Sequence, residues 1–271
     1  MIGQNTLRGK VDTLVEYGFP RFTILVGPKH SGKHLVAKHI AKKLNATLVD
    51  SGIKVDEIRE TISLAYKQSE PTVYLLADAD KMSPASKNAI LKVTEEPPRK
   101  AYFIMTLTDL NNTLATLRSR GTVLSIDIYQ PGQLLEYANS KQYNFKQEEQ
   151  DYIMGICTTP GEVDTLCSYN ITEFYQFVET VADNIGKVNG ANAFKIGSRL
   201  SYKEEDEGYD VTLFLRTLMD VYLARIHQSS LRTVLSIREI SKYLAEMNTT
   251  GINKSATMDM LILELRAIWM S

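Results

Sequence analysis

The chain has 271 residues, a formal charge of -1, 44% apolar residues and 23% charged ones. That length accommodates two or three small domains around a sizeable core, and the proportions are those of a globular protein. A charge this close to zero supplies no global attraction for nucleic acid, so any such contact has to be local.

The two cysteines, Cys157 and Cys167, stand ten positions apart without a Cys-x-x-Cys pair or a nearby histidine. This argues against a zinc site and against a secreted disulfide framework, and reads as free thiols in a reducing cytosol. No apolar run reaches the roughly 18 residues of a membrane span. The opening "MIGQNTLRGK" lacks the apolar core of a signal peptide. The expectation is a cytoplasmic protein with no membrane contact. Charge is unevenly placed: residues 1–49 hold eight Lys or Arg against Asp12 and Glu16, with His30, His34 and His39 in the same stretch.

In chain order, "FTILVG" (Phe22–Gly27) predicts a short buried strand, and "HLVAKHIAKKL" (His34–Leu44) a helix by its apolar spacing. "ATLVD" predicts a second strand, "VDEIRETISLAYKQ" an amphipathic helix, and "TVYLLADAD" a buried strand. "SPASKNAILKVTEE" predicts a helix with a Ser-Pro start that stops before Pro97-Pro98. "AYFIMTLT" and "TVLSIDI" are two further strands, with "LATLRSR" between them. Alternating strands and helices imply a parallel sheet covered on both faces. After "YQPGQ" (Tyr129–Gln133) strand signals stop. Residues 133–185 read as short helices interrupted by "TTPGE", and residues from about Gly186 onward as helical, broken by "KEEDEGYD" at 203–210.

The segment "GPKHSGKH" carries the chemistry. Gly27, Gly32 and Lys33 satisfy G-x-x-x-x-G-K-[ST], and His34 replaces the hydroxyl that would reach magnesium. Between a strand and a helix, such a loop aims backbone N–H groups and a helix amino end at phosphates. The candidate phosphate-binding residues are Gly27, Pro28, Lys29, His30, Ser31, Gly32, Lys33 and His34. The alternative is a glycine turn that only packs a helix on a sheet. In "VYLLADAD", the places of the magnesium carboxylate and of the water-orienting glutamate are held by Ala77 and Asp78. Alanine cannot ligate a metal, and Asp78 is one methylene shorter than Glu. The competing reading has Asp78 and Asp80 capping the helix that follows. No metal ligand set is assigned.

"SKNAILKVTEEPP" followed by "FIMTLTDLNNTLATLRSRG" resembles the clamp-loader branch of the AAA+ proteins, to which the bacterial delta-prime and gamma/tau subunits of DNA polymerase III belong. "MIGQ…L" and "KVDEIRE" are similar to the same family. The resemblance covers residues 1–135 well, the middle weakly, and 186–271 only in length and helical character.

It implies an AAA+ α/β domain with a parallel sheet at 1–132, a small helical lid at 133–185 and an all-α collar-like domain at 186–271. Ser119 and Arg120 match the first two positions of the family's Ser-Arg-Cys, with Gly121 in place of Cys. Arg120 is then expected to act in trans, in the ATP site of a neighbouring subunit. Thr108 matches the polar sensor, with Thr106 as the alternative. Near "TTPGE", where active subunits place a second sensor arginine, stands Glu162. The four-cysteine zinc module of many relatives is missing, since Asp50 leads almost directly into "KVDEIRE".

A damaged magnesium site with an intact Arg120 implies a delta-prime-type subunit of a hetero-oligomeric ring that sets a sliding clamp on primed DNA. ATP or ADP would bind weakly, magnesium is open, zinc is not expected, and little or no ATPase activity is expected from the chain alone. An active gamma/tau-like motor subunit and a stand-alone phosphate-loop ATPase stay open. Lys87, Asn88 and Lys92 are candidates for salt-sensitive contact with the DNA backbone. "VTLFLRTLMDVYLARI" and "MDMLILELRAIWM" are apolar on more than one face, as buried or subunit-packed helices are. Trp269 is read as packed in.

Overall fold

The computed structural model describes residues 3–143, 145–202, 207–226, 231–247 and 252–270. Met1 and Ile2 of "MIGQ" and residues 203–206 of "KEEDEGYD" lie outside them. The chain divides into two compact units, Met1–Tyr137 with Thr159–Gly161, and Ala138–Thr158 with Glu162–Ser271.

The first unit runs α1 (Asn5–Tyr17), β1 (Phe22–Val26), α2 (Lys33–Lys43), β2 (Thr47–Asp50), α3 (Val55–Lys67), β3 (Thr72–Leu76), α4 (Pro84–Glu95), β4 (Ala101–Leu107), α5 (Ala115–Arg118) and β5 (Thr122–Ser125). The sheet order is β2-β3-β4-β1-β5, with every pair parallel. β1 is therefore flanked by β4 and β5, with Leu25 in register with Thr106 and Leu124.

Strand periodicity sorts the core onto two faces. Ile24, Tyr74, Leu76, Phe103 and Met105 pack with Ile58 of α3 and with Ile90 and Val93 of α4. Leu25, Val73, Leu75 and Ile104 face Leu7 and Val11 of α1 and Val36 and Ile40 of α2. Strands buried on both sides read as near-continuous apolar runs, and each fully buried Leu or Ile contributes roughly 1.5–3 kcal/mol. α4 starts as its sequence predicts: Pro84 opens the first turn and the Ser83 hydroxyl accepts the Ser86 N–H at 3.0 Å. Asp78 and Asp80 therefore do not cap that helix. α1 is an element that the sequence reading leaves out.

α6 (Pro131–Ser140) spans the boundary between the units. The second unit contains α7 (Gln147–Ile156), most of α8 (Pro160–Cys167), α9 (Ile171–Asn184), α10 (Gly190–Gly197), α11 (Val211–Ala224), α12 (Leu231–Glu246) and α13 (Lys254–Met270). The tail is not entirely helical. β6 (Leu200–Ser201) and β7 (Tyr209–Asp210) form a short parallel pair, with the Tyr209 N–H donating to the Arg199 carbonyl at 3.0 Å. Two-residue strands are too short to show the alternation that marks a strand in sequence. Trp269 is packed in: its ring stacks on Tyr222 at 5.8 Å and its N–H donates to Ser236 Oγ at 2.9 Å.

Candidate functional site

The Gly27–His34 loop leaves the carboxyl end of β1, where the sheet order reverses and open α/β sheets bind their ligands. Gly32 holds φ 87°, a left-handed conformation natural to glycine, and so turns the loop into α2. His30 holds φ 57°. The loop is tied down locally. The Gly27 N–H donates to Leu107 O at 3.1 Å, Ser31 Oγ donates to Pro28 O at 2.8 Å, and the Tyr129 hydroxyl donates to Ser31 O at 3.0 Å.

Lys33 turns inward. Only 8% exposed, its ammonium donates to the carbonyls of Gly27 at 2.8 Å and Pro28 at 2.6 Å, so its hydrogen bonds are taken up by the loop that it would serve. Burial pulls its pKa below the usual lysine value, helped by Lys29 and opposed by the carboxylates of Asp78 and Asp80. Pro28, Lys29, His30 and His34 are exposed, while Ser31 is buried.

At the tips of β3 and β4 the carboxylates are already engaged. Asp80 accepts the Thr108 N–H at 2.9 Å, the Thr108 hydroxyl at 2.9 Å and the Asn112 amide at 2.9 Å. Asp78 sits at φ 51°; its N–H donates to Thr106 Oγ1 at 2.9 Å and its carboxylate pairs with Lys81 at 3.0 Å. Both candidate sensor threonines thus meet this aspartate turn. Ala77 brings no ligand atom. Among the described residues, no group of three His, Cys, Asp or Glu could hold a metal ion. The loop's backbone fits a phosphate-bearing ligand, with Lys33 turned back onto the Gly27 and Pro28 carbonyls, whereas His34 and Ala77 offer no usual magnesium ligand.

"TTPGE" divides at its glycine. Thr159–Gly161 belong to the first unit, where the Gly161 N–H donates to the His30 carbonyl at 3.1 Å. A Cβ on Gly161 would lie 2.4 Å from His30 Cβ, so only glycine permits this approach. Glu162, in the second unit, pairs with Arg216 at 2.8 Å and accepts the Thr158 N–H at 2.7 Å and hydroxyl at 3.0 Å. Its carboxylate is thereby assigned to structure.

Arg120 lies elsewhere. β5 runs parallel to β1, so Arg120, two residues before β5, stands at the amino end of the sheet. The loop is at the carboxyl end, and at about 3.3 Å per residue the two are separated by roughly 15–20 Å along the strands. The guanidinium is exposed, paired with Glu95 at 2.5 Å and donating to Thr116 O at 2.7 Å. Arg118 donates to Asn111 nearby at 3.2 Å. Gly121 explains its own departure from Ser-Arg-Cys: a Cβ there would lie 2.8 Å from Ile24 Cγ1 and 3.1 Å from Phe22 Cδ1.

The fold thus gathers Gly27–His34, Asp78 and Thr108 at one end of the sheet and leaves Arg120 at the other. The sequence reading misses Tyr129, the Gly161 contact and Arg216. "YQPG", shortly after β5, was the available sign for Tyr129, and nothing local marked the other two.

Residues 47–129 match the family model described as DNA polymerase III, delta subunit. DNA polymerase III subunit gamma of Buchnera aphidicola is 32% identical over 128 residues, 36% of this chain and 35% of the relative. DNA polymerase III subunit delta' of Yersinia pestis is 40% identical over 73 residues, 26% of this chain and 22% of the relative. The aligned part of the chain thus spans about a third or less of these relatives' lengths. Among solved structures, the RuvB Holliday junction branch migration motor of Thermotoga maritima aligns over 96% of this chain and 82% of its own. Its TM-score is 0.54 and its identity 15%. A DNA polymerase III gamma subunit-related protein from Thermotoga maritima aligns over 96% and 99%, with a TM-score of 0.50 and 16% identity. At such identities the structural likeness concerns the fold alone. The fold is that of the AAA+ proteins, and residues 47–129 are similar to the DNA polymerase III delta subunit family.

Proposed function

We propose that this chain is a clamp-loader subunit of the delta-prime type, a largely passive member of a hetero-oligomeric ring that helps to set a sliding clamp on primed DNA. The observation that carries this is the separation of Arg120 from the chain's own phosphate loop. Parallel strands put them at opposite ends of the sheet, so an exposed Arg120 can serve a phosphate only on a neighbouring subunit. A cation offered to a transferring phosphate stabilises the charge that develops there.

The rest of the loop's surroundings support a site that holds nucleotide weakly and turns over little. Lys33 must leave the Gly27 and Pro28 carbonyls before it meets a phosphate, and Ala77 and His34 supply no magnesium ligand of the expected kind. No step through magnesium is assigned to this chain. Residues 133–185 are taken as the lid and 186–271 as the collar-like domain. α13 supports assembly: Met258, Leu261, Ile262 and Leu265 are buried while Met260, Leu263 and Met270 are exposed, leaving an apolar stripe outside. On α4, Asn88 and Lys92 are exposed and suit DNA backbone contact, while the Lys87 ammonium is held by the Asn112 carbonyl at 2.5 Å. A cytoplasmic location follows from the same reading.

Reconstitution tests it. The chain is mixed with the motor and clamp-opening subunits of the same genome, and ATP-driven loading of the clamp onto primed DNA is measured. Loading should require this chain and persist with Lys33→Ala. Loading that proceeds without the chain, or that Lys33→Ala abolishes, contradicts the proposal; the second result favours a motor subunit.

A further inference from the structure

β2 is an edge strand of the sheet, and it is unusually open. Thr47, Val49 and Asp50 are exposed, and Leu48 is half-buried. The Thr47 and Ser51 N–H groups donate to Pro71 and Leu75 on the β3 side. By alternation, the N–H and C=O groups of Leu48 and Asp50 point away from the sheet. Open edges of this kind pair with further strands unless something covers them.

Beside this edge, α2 presents Leu35, Lys38, His39 and Lys42 at positions i, i+3, i+4 and i+7, one stripe of the helix. With Ala46 and Leu48 these residues line a groove of about 560 Å³. Leu35 is 59% exposed at its wall. Among the described residues, no carboxylate lines it: Asp12 is taken by Lys43 at 2.7 Å, and Asp50 stands outside the wall. Within this basic and apolar surface, His39 Nε2 is buried and lacks a hydrogen-bond partner. A buried polar nitrogen without a partner is destabilising, and a ligand atom would offset that cost.

We propose that the open edge of β2 and the groove beside it form a docking site for an extended acidic peptide segment of a partner protein, which adds to the sheet as a further strand. Its backbone pairs with Leu48 and Asp50. Its carboxylates meet Lys38, Lys42 and the imidazole of His39, and an apolar side chain rests on Leu35 and Leu48. Nucleic acid suits the surface less well. Among the described residues, no Phe, Tyr or Trp lines the groove for a base to stack on, and a sugar-phosphate chain cannot complete a strand edge.

The full chain tests this with a fluorescein-labelled (Glu-Val)4 peptide, a (Lys-Val)4 control and a twelve-residue oligothymidylate, all at one ionic strength. Saturable binding of (Glu-Val)4 alone is expected, with hydrogen exchange slowed at the Leu48 and Asp50 amides. The exposed double variant Lys38→Glu/Lys42→Glu should weaken that binding about tenfold or more, equivalent to ~1.4 kcal/mol. Leu48→Pro removes an outward N–H without touching the β3 ladder, and should weaken it too. Absence of saturable peptide binding overturns the proposal. So does binding that leaves the Leu48 and Asp50 amides unprotected, or capture of the oligonucleotide in its place through the same lysines.

Discussion

The two ends of one sheet treat a cation in opposite ways. At the carboxyl end, Lys33 is drawn into its own loop and bound to two carbonyls, and the nearby carboxylates are held by Thr108, Asn112 and Lys81. At the amino end, Arg120 stands on the surface, paired with the exposed Glu95 and donating to the Thr116 carbonyl. A group whose hydrogen-bonding capacity is filled from within maintains structure, whereas an exposed one is available to another molecule at little cost. By that criterion Lys33 is engaged within its own loop, and Arg120 is the cation nearer to the surface.

The largest effect expected from breaking the internal network comes from Asp80→Ala. It leaves the Thr108 N–H, the Thr108 hydroxyl and the Asn112 amide without their acceptor. At about 1.5–3 kcal/mol for a hydrogen bond to a charged group, discounted for partial exposure, the loss should be roughly 3–4 kcal/mol, and calorimetry should show the α/β unit melting about 10 °C lower. Gly161→Ala comes next. A methyl 2.4 Å from His30 Cβ forces the Thr159–Gly161 segment or the loop to move, at about 1–3 kcal/mol. An unchanged melting curve there would mean that this segment is not held on the loop in solution.

Lys33→Met should cost about 1–2 kcal/mol in urea titrations, because two lost hydrogen bonds are partly offset by no longer burying an ammonium. Arg120→Ala, with an exposed pair, should stay within about 1 kcal/mol of the parent. The comparison between the two ends breaks if Arg120→Ala destabilises more than Lys33→Met. The smallest effect is a pH trend. Burial lowers the Lys33 pKa below 10.5, so in alkaline solution the unfolded chain keeps this proton longer than the folded one. Stability from this group therefore rises with pH until about 10.5 is reached, and the parent's advantage over Lys33→Met should widen over that range.

Most of the α/β unit was legible because each strand alternates between two apolar layers, and because Ser83-Pro84 and Pro97-Pro98 punctuate α4. The loop between β1 and α2 was legible from Gly27, Gly32 and Lys33. What lay beyond the sequence was direction. That Lys33 folds back depends on where two carbonyls point, and that Arg120 lies far from the loop depends on strand order, since β1 pairs with both β4 and β5. The Gly161 contact joins positions 131 apart with no shared local pattern. The Glu162–Arg216 pair joins residues 54 apart, and the carboxylate gave no sign that its partner would be a helix arginine.

The most direct measurement is the steady-state ATPase rate of the reconstituted, DNA-stimulated ring carrying either Arg120→Ala or Lys33→Ala in this subunit, each checked for an intact fold by its melting curve. Arginines donated to a neighbour's phosphate contribute on the order of 10³-fold at the site they serve. Arg120→Ala should therefore silence one neighbouring site and lower the total rate by that site's share, while Lys33→Ala leaves the rate unchanged. A rate that falls with Lys33→Ala and is indifferent to Arg120→Ala would contradict the account.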